Sequence, residues 1–136
     1  MRDILLDTNA YVAFKRGDEG ALEILRHAPS IGVSTVVLGE LLAGFACGDR
    51  SARNRAELAE FLRSPRVLVY SATQETAEHY ATVFAALRRK GRPIPTNDLW
   101  IVATAFEHGC AVYTLDKHFE EVETLQVGSC LSDFVL

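Results

Sequence analysis

Four acidic side chains stand where their neighbours make a lone charge expensive. Asp7 ends the run Ile4-Leu5-Leu6, and Glu40 interrupts the apolar stretch from Val36 to Phe45. Asp98 precedes Leu99-Trp100-Ile101-Val102-Ala103, and Asp116 closely follows Ala111-Val112-Tyr113. An ionised carboxylate in apolar surroundings is costly unless a cation compensates it. Converging carboxylates raise one another's pKa unless a cation holds them ionised. Oxygen-only donors of this kind suit Mg²⁺ or Mn²⁺. An ion so held lowers the pKa of a ligated water and neutralises charge on a phosphorane-like transition state, so the implied chemistry is phosphodiester hydrolysis. No Ser-His or Cys-His pair stands in for a nucleophile. Histidines 27, 79, 108 and 118 read as surface or packing residues, although His118 is close to Asp116.

Each acid also has a plain structural reading. Asp7 could cap a helix starting near Asn9, Asp98 could complement a helix dipole, Asp116 could sit in a turn, and Glu40 could reach solvent past small neighbours. Taken together these need four coincidences, whereas the other fourteen of the eighteen acids fall mostly on polar faces and loops.

The elements that would position the four acids alternate between strand and helix. Ile4 to Leu6 reads as a buried strand, and Thr8-Asn9 offers a cap for a helix over Ala10 to Phe14, closed by Gly17. Asp18 caps a second helix with Ala21, Leu22, Leu25 and Ala28 inward, stopped by Pro29. Ile31 to Val33 is a second strand, and Ser34 or Thr35 caps a helix running to Gly48. That helix has hardly any polar face for Glu40, while Gly39 and Gly44 leave room for another backbone. An amphipathic stretch from about Ser51 to Leu62 ends at Pro65, before a strand over Val67 to Tyr70. Thr73 opens a long helix carrying Ala77, Tyr80, Val83, Phe84 and Leu87, stopped by Gly91. Thr96 caps the next helix, which Gly109 ends, and Ala111 to Thr114 is a fourth strand. Leu125 to Val127 offers a fifth. Such alternation predicts one α/β domain over 1–136, with a mainly parallel sheet of four to five strands covered on both faces. Asp7 and Asp116 then lie at carboxyl ends of strands, where ligands bind in open parallel sheets.

With 136 residues and 49% hydrophobic content the chain suffices for one cored domain. Its apolar runs are far shorter than the roughly 20 residues that span a bilayer. The acidic start Met1-Arg2-Asp3 does not resemble a signal peptide, so a cytoplasmic protein with no membrane association is expected. Cys47, Cys110 and Cys130 show no zinc spacing and read as buried free thiols. The net charge of −4 is unusual for a nucleic-acid binder, but a metal on four acids would remove most of that excess. Eleven of the fourteen basic residues are arginines, whose forks match phosphate. Arg88, Arg89, Lys90 and Arg92 could hold RNA phosphates or simply stabilise a helix C-terminus. The arginines from 50 to 66 read first as a solvated helix face and second as substrate contacts.

Taken in order, Ile4-Leu5-Leu6-Asp7-Thr8-Asn9, the segment STVVLGELLAG from Ser34 to Gly44, Asn97-Asp98 with Ile101 to Ala105, and Thr114-x-Asp116-x-x-Phe119 resemble the PIN-domain ribonucleases. Within them the likeness is to VapC-type toxins of toxin–antitoxin pairs. The resemblance covers essentially the whole chain. It implies a Rossmann-like, three-layer PIN fold and metal-dependent endoribonuclease activity that inhibits translation, leaving a 5′-phosphate and a 3′-hydroxyl. It carries catalysis and Mg²⁺ or Mn²⁺ binding to Asp7, Glu40, Asp98 and Asp116, with Thr8, Asn9 and Thr114 as supporting polar groups. It also implies an RNA substrate such as tRNA or rRNA, homodimerisation, and a cognate antitoxin whose C-terminal segment lies in a groove among the early helices. Trp100 departs from the pattern, being bulkier than that position often allows.

Two other readings compete. An aspartate-based phosphatase or phosphotransfer domain would use Asp7 as nucleophile, but haloacid-type phosphatases need a second Asp where Asn9 stands. A non-catalytic PIN-like binding module would use the acidic cleft for a basic peptide and would need no tight Mn²⁺ site.

Overall fold

The computed structural model describes residues 1–135, and Leu136, the last residue of the expected domain, lies outside the described residues. Five strands form one wholly parallel sheet: β1 (Ile4–Leu6), β2 (Ile31–Ser34), β3 (Val67–Tyr70), β4 (Ala111–Tyr113) and β5 (Val127–Gly128). Six α-helices are described around it: α1 (Thr8–Lys15), α2 (Glu19–His27), α3 (Thr35–Ala46), α4 (Ser51–Leu62), α5 (Gln74–Lys90) and α6 (Thr96–His108). The sheet order is β3-β2-β1-β4-β5, with Ile4 of β1 paired to Ile31 on one side and to Ala111 on the other. The chain therefore steps outward in one direction from β1 and then crosses back to start β4. This reversal is the place where open α/β sheets bind ligands.

Both neighbours of β1 are strands, and Ile4, Leu5 and Leu6 are wholly buried. A central parallel strand covered on both faces reads as a continuous apolar run, as here. Tyr113 and Phe134 close the far side of the core, meeting edge to face with ring centres 5.9 Å apart. At β2 the backbone is crowded. A Cβ on Gly32 would stand 2.6 Å from the Tyr70 ring and 3.1 Å from Leu5, so only glycine fits there.

The differences from expectation have local causes. Of the candidates for the cap of α1, Asp7 takes the place and Thr8-Asn9 do not, while Pro95 rather than Thr96 occupies the cap position of α6. Of the two candidates for α3, Ser34 is the cap, its hydroxyl accepting from Val37 N–H. The buried stripe of α2 is Ala21, Ile24, Leu25 and Ala28, which leaves Leu22 exposed. On α5, Thr76, Val83 and Leu87 are buried and Phe84 is exposed. The fifth strand begins at Val127, later than the expected start at Leu125. Only Cys110 is a buried thiol, for Cys47 and Cys130 are exposed. Gly39 and Gly44 face open space, not another backbone. Trp100 finds room by stacking on Tyr80 of α5, ring centres 4.3 Å apart. No helix is long and apolar enough to cross a membrane among the described residues.

Candidate metal centre

Asp7 follows β1 directly, and its backbone N–H donates to the Tyr113 carbonyl of β4. This ties the residue to the sheet reversal. One oxygen, Oδ1, caps α1 by accepting from Thr8 N–H at 2.8 Å, and Oδ2 accepts from the Thr114 hydroxyl at 2.7 Å. The capping reading and the site reading of Asp7 are therefore both realised, one on each oxygen. Such double use leaves the group 6% exposed and the most buried of the four acids.

Thr114 stands just past β4 and is itself buried. Its oxygen also accepts from the backbone N–H of Asp116 at 3.0 Å, which folds the chain after β4 back toward Asp7. Asn9, the second residue of α1, accepts from Leu115 N–H at 3.0 Å through Oδ1. With its amide pinned there, Asn9 supplies no second acid, and both oxygens of Asp7 are engaged. An aspartyl-phosphate mechanism finds no support in this arrangement.

Glu40 reaches the same place from α3. Its Oε1 accepts from the Thr8 hydroxyl at 2.6 Å and its Oε2 accepts from the Asn97 amide at 3.3 Å. Asp98, in the first turn of α6, is favoured by the helix dipole. Asp7, Glu40, Asp98 and Asp116 thus line one open cleft of about 440 Å³, together with Thr8, Asn9 and Arg16. Burial decreases outward from Asp7. The Asp98 side chain is 14% exposed and that of Asp116 36%, while Glu40 is half-buried, so the expected burial holds fully only at Asp7.

One residue read as surface proves to be part of the cluster. His118 is exposed, but its Nδ1 lies 3.3 Å from Asp98 Oδ2 and 3.2 Å from Asp116 Oδ2. Asp98, Asp116 and His118 each present a ligand atom within 4.8 Å of the other two. The only signal in the sequence is its position two residues after Asp116. Arg16, which walls the cleft at the end of α1, carries no signal at all.

The basic run lies elsewhere. Arg88, Arg89, Lys90 and Arg92 do not line this cleft, and the Lys90 ammonium pairs with Glu121 at 3.7 Å and Glu123 at 3.2 Å. Among the described residues no Lys or Arg makes an ion pair with any of the four acids. The electrostatic result follows. Burial pushes the Asp7 carboxyl above the ordinary carboxylate range, the Thr114 and Thr8 hydrogen bonds oppose this, and the charges of Glu40 and Asp116 add to it. Asp98 is also raised, first by burial, with the His118 hydrogen bond pulling the other way. Hard oxygen donors pressed together without a permanent cation are the donor set that a small divalent ion satisfies.

A family model for the PIN domain matches residues 4–125. The Ribonuclease VapC4 of Mycobacterium tuberculosis is 34% identical over 98 residues, 71% of this chain and 74% of that protein. The Ribonuclease VapC2 of Haemophilus influenzae is 30% identical over 129 residues, 93% of this chain and 96% of that protein. Among solved structures, a DNA-bound VapBC from Salmonella typhimurium superposes with a TM-score of 0.81 at 27% identity, covering 94% of this chain and 98% of that one. The matched span, the parallel sheet and the acids at its reversal agree: this chain belongs to the PIN-domain family, and within it to the VapC group.

Proposed function

We propose that this protein is a divalent-metal-dependent endoribonuclease, the toxin of a VapBC-type pair, which hydrolyses RNA and thereby inhibits translation. The observation that carries this reading is the convergence of Asp7, Glu40, Asp98 and Asp116 on one cleft with no Lys or Arg paired to them among the described residues. The naming of the curated relatives as ribonucleases supports the RNA substrate. Mg²⁺ or Mn²⁺, held by the four carboxylates, would supply an activated water and charge neutralisation at the scissile phosphate.

The protein's own groups prepare that site. Thr114 and Thr8 N–H fix both oxygens of Asp7, so the most buried ligand cannot rotate. Thr8 and Asn97 hold the two oxygens of Glu40 in the same way. Asn9 pins the chain after β4, which keeps Asp116 at the rim. Such outer hydrogen bonds orient ligands, and losing one typically costs about 10–100-fold in metal affinity.

Solved relatives from Haemophilus influenzae and Salmonella typhimurium are VapBC assemblies, which supports an antitoxin as partner. Homodimerisation, a cytoplasmic location, a structured RNA target such as tRNA or rRNA, and a single nuclease domain over 1–136 belong to the same reading. The test is the chemistry of the cut ends. Cellular RNA treated with the protein and Mn²⁺ should carry new 5′-phosphates and 3′-hydroxyls, since an activated water displaces the 3′ oxygen. Ends bearing 2′,3′-cyclic phosphate would mean that the ribose hydroxyl attacks, and the metal-hydrolase reading would fall.

A further inference from the structure

A second hollow, of about 450 Å³, opens beside the acidic cleft and shares Val12 and Arg16 with its wall. Its charge is opposite. Lys15 and Arg16 at the end of α1 face Arg50 and Arg53 at the start of α4, and Glu57 is the one acid lining it. Glu57 is shared between Lys15 at 3.6 Å and Arg53 at 3.3 Å. Arg16 and Arg50 make no ion pair among the described residues. Three positive charges therefore remain uncompensated next to the four acids.

Tyr11 also lines this hollow, 3% exposed, and its hydroxyl is buried without a hydrogen-bond partner among the described residues. A buried hydroxyl left unpaired is costly and calls for an explanation. The ring cannot easily turn away, because Phe61 meets it edge-on with centres 5.2 Å apart and Phe14 lies at 6.2 Å. Burial first and Glu57 second push the Tyr11 pKa up to about 12, so the hydroxyl keeps its proton and can donate it in a hydrogen bond.

We propose that this hollow is a phosphate subsite, which grips a backbone phosphate of an RNA strand next to the bond lying in the acidic cleft. Arg16, Arg50 and Arg53 are its guanidinium forks and Tyr11 its buried donor. The proposal rests on the nuclease reading above. A polyanion approaching four carboxylates is repelled unless cations anchor it close by. Arg88, Arg89, Lys90 and Arg92 line neither the cleft nor the hollow, whereas Arg16 lines both. Guanidinium forks match phosphate oxygens bidentately. When the strand binds, Lys15 and Arg53 exchange Glu57 for phosphate, and that movement uncovers the buried Tyr11 hydroxyl, which gains its missing acceptor.

The experiment follows a dye-labelled, mixed-sequence single-stranded oligoribonucleotide by fluorescence anisotropy, without metal and across a salt series. Mn²⁺ binding is followed in parallel by electron paramagnetic resonance. The double variant R50A/R53A should bind RNA about tenfold more weakly, with a log–log salt slope shallower by about 0.7 for each phosphate it no longer neutralises. Both arginines lie at the surface, and Mn²⁺ affinity should not move. Tyr11→Phe removes only the unpaired hydroxyl. Its Tm should match or exceed wild type while RNA affinity falls about tenfold, as for a missing hydrogen bond to a charged acceptor. A wild-type affinity and slope in R50A/R53A would overturn the subsite. So would losses confined to binding of a labelled poly-glutamate peptide, which would assign the hollow to a protein carboxylate. If the wild type takes up no Mn²⁺, the nuclease reading fails first and the subsite with it.

Discussion

The Asp7 carboxylate divides its oxygens between Thr8 N–H and the Thr114 hydroxyl, while Glu40 and Asp116 press negative charge upon it. Asp7 and Asp98 both titrate above the ordinary Asp value of 3.8. In the metal-free fold their stabilising contribution is present below that value and is lost as pH rises through the folded pKa, because the folded state holds the proton more tightly. Asp98→Asn removes one of these charges. Its metal-free Tm should exceed wild type by a few degrees at neutral pH, and the gap should close toward the acid side of that window, as read by thermal denaturation. The same variant should bind Mn²⁺ at least about a hundredfold more weakly, beyond the cost of losing an outer partner. Thr114→Val leaves the buried Asp7 oxygen short of a donor. It should cost about 1–3 kcal/mol in urea denaturation and also weaken Mn²⁺ binding. At this scale the four acids were legible because charge stood out against apolar neighbours. His118 was marked only by its closeness to Asp116 and Arg16 not at all, since a single His or Arg carries no pattern until folding brings it to a cleft.

Strands and helices set where those side chains point. The turns after β1 and β4 meet because these strands are neighbours at the sheet reversal, and α3 and α6 then bring Glu40 and Asp98 in from the side. Gly32 shows how tight this frame is. Tyr70 cannot swing freely from β2, because its ring stacks on His108 with centres 3.8 Å apart. Gly32→Ala should therefore destabilise the protein by about 1–3 kcal/mol through overpacking, while Mn²⁺ affinity of the folded fraction holds. The succession of strands and helices could be read from apolar runs and turn residues. The helix faces at Leu22 and Phe84 could not, because a wide apolar stripe leaves its edge residues ambiguous. The cap of α1 was legible as an alternative to the site reading of Asp7, and both turned out to hold. The two readings looked exclusive, yet a carboxylate has oxygens enough for both tasks.

Across the whole molecule, the acidic cleft at the sheet reversal adjoins a basic hollow among α1, α3 and α4, and the two are joined at Arg16. That juxtaposition was not legible in the sequence. Arg50 and Arg53 are three residues apart, but Arg16 lies far from them along the chain and meets them only when α1 packs near α4. A net charge of −4 conceals it further. The overall fold, by contrast, is shared with relatives at 27% identity, because a buried parallel sheet constrains size and apolarity more than residue identity. The most direct measurement is cleavage of a mixed pool of cellular RNAs by wild type and Asp98→Asn, with Mg²⁺ or Mn²⁺ and with excess EDTA. Discrete fragments should appear only for wild type with metal present. Equal cutting by Asp98→Asn, or cutting that persists in EDTA, would contradict a nuclease built on these four carboxylates.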